Sequence, residues 1–245
     1  MRQSVLLAPA LALLLAACDA PTTAENETPI LSRAAPALAF PPEAHAYGYS
    51  LAEWNQRWWR WALSIPAPVN PGLDPLGVHC AEGQEGPAWY LGSSFSSATV
   101  ERTCTIPAGK AILVNLSSLL NDYPCPDPSF QPAPGQSLED FLAEGARQVE
   151  DGVNQLSLTV DGVPVPNLFD RRAPTRLFTF TGDLSLQAAI DPCITGTEQQ
   201  AVSDGFFVLL KPLPVGDHTI AFGAMTPAVQ TSLTYHLNVV RDDHP

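Results

Sequence analysis

A mainly β domain, an antiparallel β-sandwich or jelly roll with two helices, is what this chain of 245 residues predicts. Three observations lead there. About nine short runs of β-branched and aromatic residues are separated by turn chemistry, with 25 prolines and 16 glycines punctuating the chain. Near the carboxyl end the period is two, with Leu233, Tyr235, Leu237 and Val239 alternating with Thr234, His236 and Asn238. Helical spacing is confined to two stretches, about 50–65 and 138–151.

The first helix holds four of the five tryptophans, and the rest of the domain is expected to pack against it. Ser50 and Glu53 form a capping box, and Pro66 ends the helix after Ile65. At about 100° per residue, Leu51, Trp54, Trp58, Trp61, Ala62 and Ile65 share one stripe. Glu53, Gln56, Arg57, Arg60 and Ser64 lie opposite, and Glu53 with Arg57 has the spacing of a surface ion pair. Trp59 falls on the flank.

Beyond the helix, PAPVNPGLDPLG has too many prolines for helix or central strand. Short strands are expected at Ala88 to Gly92, Val100 to Ile106 and Ala111 to Leu116, followed by a loop around Cys125. Ser137 and Asp140 cap the second helix, whose expected buried face is Leu138, Phe141, Leu142, Gly145 and Val149. Leu156 to Val160 alternates, Asp161-Gly162 is a hairpin signal, and Pro164 and Pro166 restrict the return run to an edge. Arg176 to Thr181 is another strand; residues 182–205 read mostly as loop around Cys193. Phe206 to Lys211 and His218 to Phe222 complete the set with the alternating run at 233–239.

The register of that last hairpin decides whether His218 and His236 meet. A slip of one residue turns a strand over. Pairing 218 with 237 sets Ile220 against Tyr235 and Phe222 against Leu233, apolar against apolar, so the two imidazoles are expected on opposite faces and no metal site there.

Residues 1–17 have one charge, Arg2, and an apolar run too short to span a bilayer, the pattern of an export signal. Leu15-Ala16-Ala17-Cys18 resembles the lipobox of bacterial lipoproteins, which implies cleavage before Cys18 and its acylation, with palmitate among the attached chains. Residues 18–45, rich in Ala, Pro, Thr and Glu, read as a disordered tether, and 46–245 as one domain. The implied address is exported and anchored through lipid to a bacterial membrane, on its periplasmic or cell-surface side.

Four further cysteines, Cys80, Cys104, Cys125 and Cys193, make an even set in an exported chain. Of three pairings, Cys80 with Cys104 and Cys125 with Cys193 is favoured, because the others cross or enclose one another. No Cys-x-x-Cys pair points to zinc, and no cofactor or metal is expected. The net charge of −13 and the two lysines, Lys110 and Lys211, argue against nucleic acid as a partner.

The phrases EWNQRWWRWALSIP, GQEGPAWYLG and RTCTIPAGKA, with the closing hairpin, resemble a group of exported bacterial proteins without an established activity. The hairpin itself, LKPLPVGDHTIAF with SLTYHLNVV, is similar to the closing hairpins of bacterial immunoglobulin-like and related β-sandwich domains. These likenesses imply one exported globular unit.

Motifs of familiar catalysis are missing from the sequence: no Gly-x-Ser-x-Gly, no His-Glu-x-x-His, no phosphate loop. The strongest polar cluster is Asp74, His79, Glu82 and Gln84, just ahead of Trp89. Its plainest reading is a loop whose polar groups cap backbone; next comes a ligand cleft with Trp59 and Trp89 as aromatic platforms, and last an Asp/His/Glu site for general acid and base work. Trp54, Trp58 and Trp61 read as core, Arg57 and Arg60 as a solvated face. The expected function is therefore a binding or interaction module with a saccharide or an envelope protein as ligand. The alternatives are a hydrolase of extracellular or envelope polymers and a purely structural surface protein.

Overall fold

The computed structural model describes residues 37–95 and 99–241. The signal segment 1–17 and Cys18 lie outside the described residues. Two sheets face each other across one core, and a helix covers the far side of the first sheet. α1 (Leu51–Ser64) precedes β1 (Ala88–Tyr90), β2 (Thr99–Pro107) and β3 (Ala111–Tyr123). α2 (Leu138–Glu150) follows, then β4 (Gln155–Val160), β5 (Val163–Pro164), β6 (Phe178–Thr181), β7 (Glu198–Leu210), β8 (Gly216–Met225) and β9 (Gln230–Val240). The sheet orders are β1-β3-β7-β6 and β2-β9-β8-β4-β5. Among the described helices, none is long and apolar enough to cross a membrane.

The sandwich is mixed rather than wholly antiparallel, because β1 with β3 and β2 with β9 pair in parallel. β2, which lies between β1 and β3 in the chain, belongs to the other sheet, so β3 meets β1 without a hairpin. The closing register is the one that apolar pairing favours: His218 opposite Leu237, Ile220 opposite Tyr235, Phe222 opposite Leu233. His218 therefore shares the face of Leu237, where its Nδ1 lies 2.7 Å from Asp161, while His236 points the other way, its Nε2 2.7 Å from Glu101.

The core has two layers. Between the sheets lie Trp89, Ile112, Val114, Phe206 and Val208 of one against Ile220, Phe222, Leu233, Tyr235 and Leu237 of the other. On the far side of the first sheet, Trp54, Trp58, Trp59 and Trp61 pack with Leu113, Phe178, Phe207 and Leu209. The capping box that starts α1 is present, with the Ser50 amide donating to Glu53 at 2.7 Å. Trp58 donates its indole N–H to the Leu91 carbonyl at 2.9 Å, and its ring meets Phe207 edge-on, so helix and sheet are joined by a polar as well as an apolar contact.

Several features differ from the sequence expectation. β3, expected to end at Leu116, runs on to Tyr123. Leu38 to Phe40, expected in the tether, hydrogen-bond to the carboxyl end of β7, with Phe40 donating to Leu209 and Lys211 donating to Leu38. They occupy a stretch of β7 that the short β6 leaves uncovered. Residues 198–205, expected as loop, are the first half of β7. Finally, α2 buries Leu142, Ala146 and Glu150, while Val149 is 48 % exposed. Gly145 is what lets this face approach β3: a Cβ there would come within 2.5 Å of the Asn121 side chain, which donates to the Leu142 carbonyl.

Both expected disulfides are present, Cys80 to Cys104 and Cys125 to Cys193. The first ties the loop after α1 to β2; the second ties the segment ahead of β7 to the end of β3.

Candidate functional site

The polar cluster expected to line a site is occupied with holding its own loop. Asp74 is buried and accepts from the amides of Leu76 at 2.9 Å and His79 at 2.7 Å. Burial pushes its carboxyl up, but the amides of His79, Leu76 and Gly77 outweigh that and hold it below the usual range. Gln84 donates to the carbonyls of Cys80 and Tyr90 and accepts from the Tyr90 amide at 2.8 Å. The Glu82 backbone carbonyl receives the Trp61 indole N–H at 2.9 Å.

The two expected platforms are enclosed and lie in different cores. Trp89 is 6 % exposed, between the sheets, and Trp59 is 7 % exposed, against Trp58 and Phe95 on the helix side. Stacking on a ligand requires an open ring face, and neither offers one. The expected gathering of Trp59, Trp89, Asp74 and His79 around one opening is not found.

One opening lies on the solvent side of α1. A cleft of about 470 Å³ is bounded by Arg57, Arg60 and Ser64 of the helix, by Glu85 and Gly86 of the loop opposite and by Tyr90 at the end of β1. Its floor is rigid: the Tyr90 and Trp61 rings lie 5.3 Å apart, and Gly83, with φ +63°, lets the loop press on Trp61, where a Cβ would meet it at 3.2 Å.

The two arginines are held by aromatic rings. Arg57 lies 3.6 Å above the Tyr49 ring, and burial raises the Tyr90 pKa against the smaller, opposing effect of the Arg57 charge. Its expected direct ion pair with Glu53 does not form; the Oε2 of that carboxylate accepts from Ser50 in the capping box. Arg60 lies 5.1 Å above Phe178 and donates from Nε to the Thr179 carbonyl at 2.8 Å. Burial, and then the like charge of Arg57, lower its pKa. Among the described residues neither arginine has an ion-pair partner.

Several buried polar groups escaped the sequence reading, among them Arg102, Glu150 and Asp122. Arg102, 2 % exposed, donates from Nε to the Asp74 carbonyl and from Nη1 to the Gly92 carbonyl and the Tyr235 hydroxyl, the last at 2.6 Å. It joins the loop after α1 to β2 and β9. Glu150 is buried beside Ser117 with Oε2 unpartnered, and burial pushes its pKa up to about 7, opposed by Ser117 and reinforced by Asp204. Asp122 is pushed up to about 7 by burial and then by Asp191. Asp122, Asp191 and Cys193 offer atoms within 4.8 Å of one another, but the Cys193 sulfur is committed to its disulfide.

No family model matches the chain, and no curated protein matches it. Among solved structures, a chain of "Structure of PbICP-C in complex with falcipain-2" is similar over 63 % of this chain and 100 % of that one, at 11 % identity and a TM-score of 0.24. A likeness of that size carries no argument about function.

Proposed function

We propose that the protein is an exported binding module, held to a bacterial membrane by lipid on Cys18, with a saccharide or an envelope protein as its ligand. The observation that carries this reading is the cleft beside α1: a firm aromatic floor, two guanidinium groups without an ion-pair partner among the described residues and a loop rim pinned through Gln84 and the Glu82 carbonyl. Polar groups fixed before the ligand arrives reduce the entropy lost on binding. Two disulfides and a body tied together at its edges suit an oxidising, exposed compartment. The hydrolase alternative finds less support, since the carboxylate of Asp74 is engaged by backbone amides.

The test is a glycan array and an envelope cross-linking experiment with the full chain, run beside Ser64→Trp, which fills the cleft from an exposed position on α1. Retention on a glycan, or a cross-linked protein partner, lost in Ser64→Trp supports the module. Neither, with a folded chain, leaves the structural reading. For the anchor, Cys18→Ser abolishes palmitate labelling; a variant labelled like wild type refutes lipidation.

A further inference from the structure

We infer that the cleft beside α1 takes a sugar carrying a single carboxylate, a hexuronate residue of an acidic saccharide, with Arg57 and Arg60 as its clamp and Glu85 as its selector. The inference rests on the reading of the cleft as a binding site. It goes further by naming the chemistry of what enters.

The charge pattern is the first ground. In a chain of net charge −13, two of its few cations stand three residues apart on one helix face, where side chains are neighbours at about 5 to 6 Å between Cβ atoms. Like charges at that spacing disfavour each other, and among the described residues no carboxylate makes a direct ion pair with either; Glu53 acts on Arg57 only at a distance. Arg60 commits only Nε, to Thr179, so the N–H groups of its terminal nitrogens have no protein partner among the described residues. Planar guanidinium forks match a carboxylate in geometry and charge, and the aromatic rings beneath fix their planes.

Glu85 narrows the choice. Its carboxylate stands on the opposite rim and repels any ligand rich in negative charge, which disfavours phosphate groups and runs of acidic residues. It accepts hydrogen bonds from hydroxyls, as does the hydroxyl of Ser64 along the same walls, while the Gly86 carbonyl is already held by the Lys110 ammonium. A neutral sugar would satisfy these acceptors and leave both arginines unpaired. A uronate satisfies both sets, with one anionic group at the arginines and several hydroxyls toward Glu85. The cleft, about 470 Å³, holds one to two such rings at ordinary pocket sizes.

The test is calorimetric titration of the full chain with a galacturonate trisaccharide, its neutral galactose counterpart, inorganic phosphate and an acidic tripeptide. The uronate is expected to bind one per chain and more weakly at high salt. Arg60→Gln, at an exposed position that leaves the core intact, is expected to weaken it about tenfold or more, and the neutral trisaccharide to bind wild type at least about tenfold more weakly. Arg57→Gln is a second variant, accepted only if its thermal unfolding matches wild type. Glu85→Gln is expected to admit phosphate that wild type rejects. Equal binding of both trisaccharides, unchanged in Arg60→Gln, overturns the carboxylate clamp and leaves a sugar-binding module standing. Binding of the tripeptide alone moves the ligand to protein. No binding of any probe by wild type removes the module reading together with the clamp.

Discussion

Replacing Glu150 by Gln is expected to stabilise the protein, and only above a defined pH. Glu150 closes the last turn of α2 against β3, 2 % exposed, with Oε2 lacking a partner. The groups that face it are the Ser117 hydroxyl, Asp204 and Arg172; burial, reinforced by Asp204 and opposed by Ser117 and Arg172, raises its pKa from 4.5 to about 7. Below about pH 4.5 the carboxyl is protonated in folded and unfolded chains alike, and its burial costs nothing electrostatic. As pH rises through this window the unfolded chain gives up the proton first, so stability falls until about pH 7 and is level beyond. At about 1.4 kcal/mol per pH unit the full loss is roughly 3 kcal/mol. Gln is isosteric and neutral, so its advantage over Glu should be near zero at pH 4.5 and approach that figure at pH 8. Urea denaturation of both proteins across that range measures it. Asp122, raised to about 7 as well, titrates in the same window, so wild type should lose stability with the slope of about two protons and Glu150→Gln with that of about one. A Gln variant less stable than wild type by the same amount at every pH would show that the carboxylate is ionised and well paired in the fold, against the reasoning given.

Arg102→Met should destabilise the domain by about 3 kcal/mol or more, because it leaves the Asp74 and Gly92 carbonyls and the Tyr235 hydroxyl without their common donor; a denaturant midpoint unchanged from wild type refutes the bracing role. Replacing Cys125 and Cys193 together by Ala should cost about 4 kcal/mol and Cys80 with Cys104 about 1 kcal/mol less, following the logarithm of loops of 68 and 24 residues, and equal losses in chemical denaturation would argue against the chain-entropy account.

What could be read from the sequence was local or periodic. α1 announces itself because its cap, its stripe and the proline after it all lie within seventeen residues, and the structure places each as spacing dictates. The closing hairpin was legible for a similar reason, since a wrong register would have set Ile220 and Phe222 against polar residues. β7 was not, because its first half buries Gln199, Ser203 and Asp204, whose partners are remote: Gln199 donates to Asp122, 77 positions away, at 3.1 Å. A polar run reads as loop until the chain that satisfies it is in view. Two missed residues did leave a trace. Alternation puts Arg102 on the same face as Val100, Cys104 and Ile106, and helical spacing puts Glu150 one turn after Ala146 and two after Leu142. A charge on an apolar face by strict periodicity is a sign of a buried brace.

The cleft escaped notice because its residues were judged one at a time. The spacing offers Glu53 both to the cap and to Arg57; the structure gives its Oε2 to the Ser50 hydroxyl and, at 2.7 Å, to the Ser50 amide, and the charge of Arg57 reaches it without a direct ion pair. Arg57 lies over Tyr49 rather than against Glu53, and the outer face of the helix presents it beside Arg60. The same 3.6-residue period that drives Trp54, Trp58 and Trp61 into the core aligns these two arginines outside it. The tryptophans then act on the cleft without facing it: Trp61 fixes the loop through the Glu82 carbonyl, Trp58 fixes the helix through Leu91, and the distance between the arginines and Glu85 follows from both. Loosening that core should therefore blur the cleft before it unfolds the domain, since a site is only as well ordered as the packing beneath it.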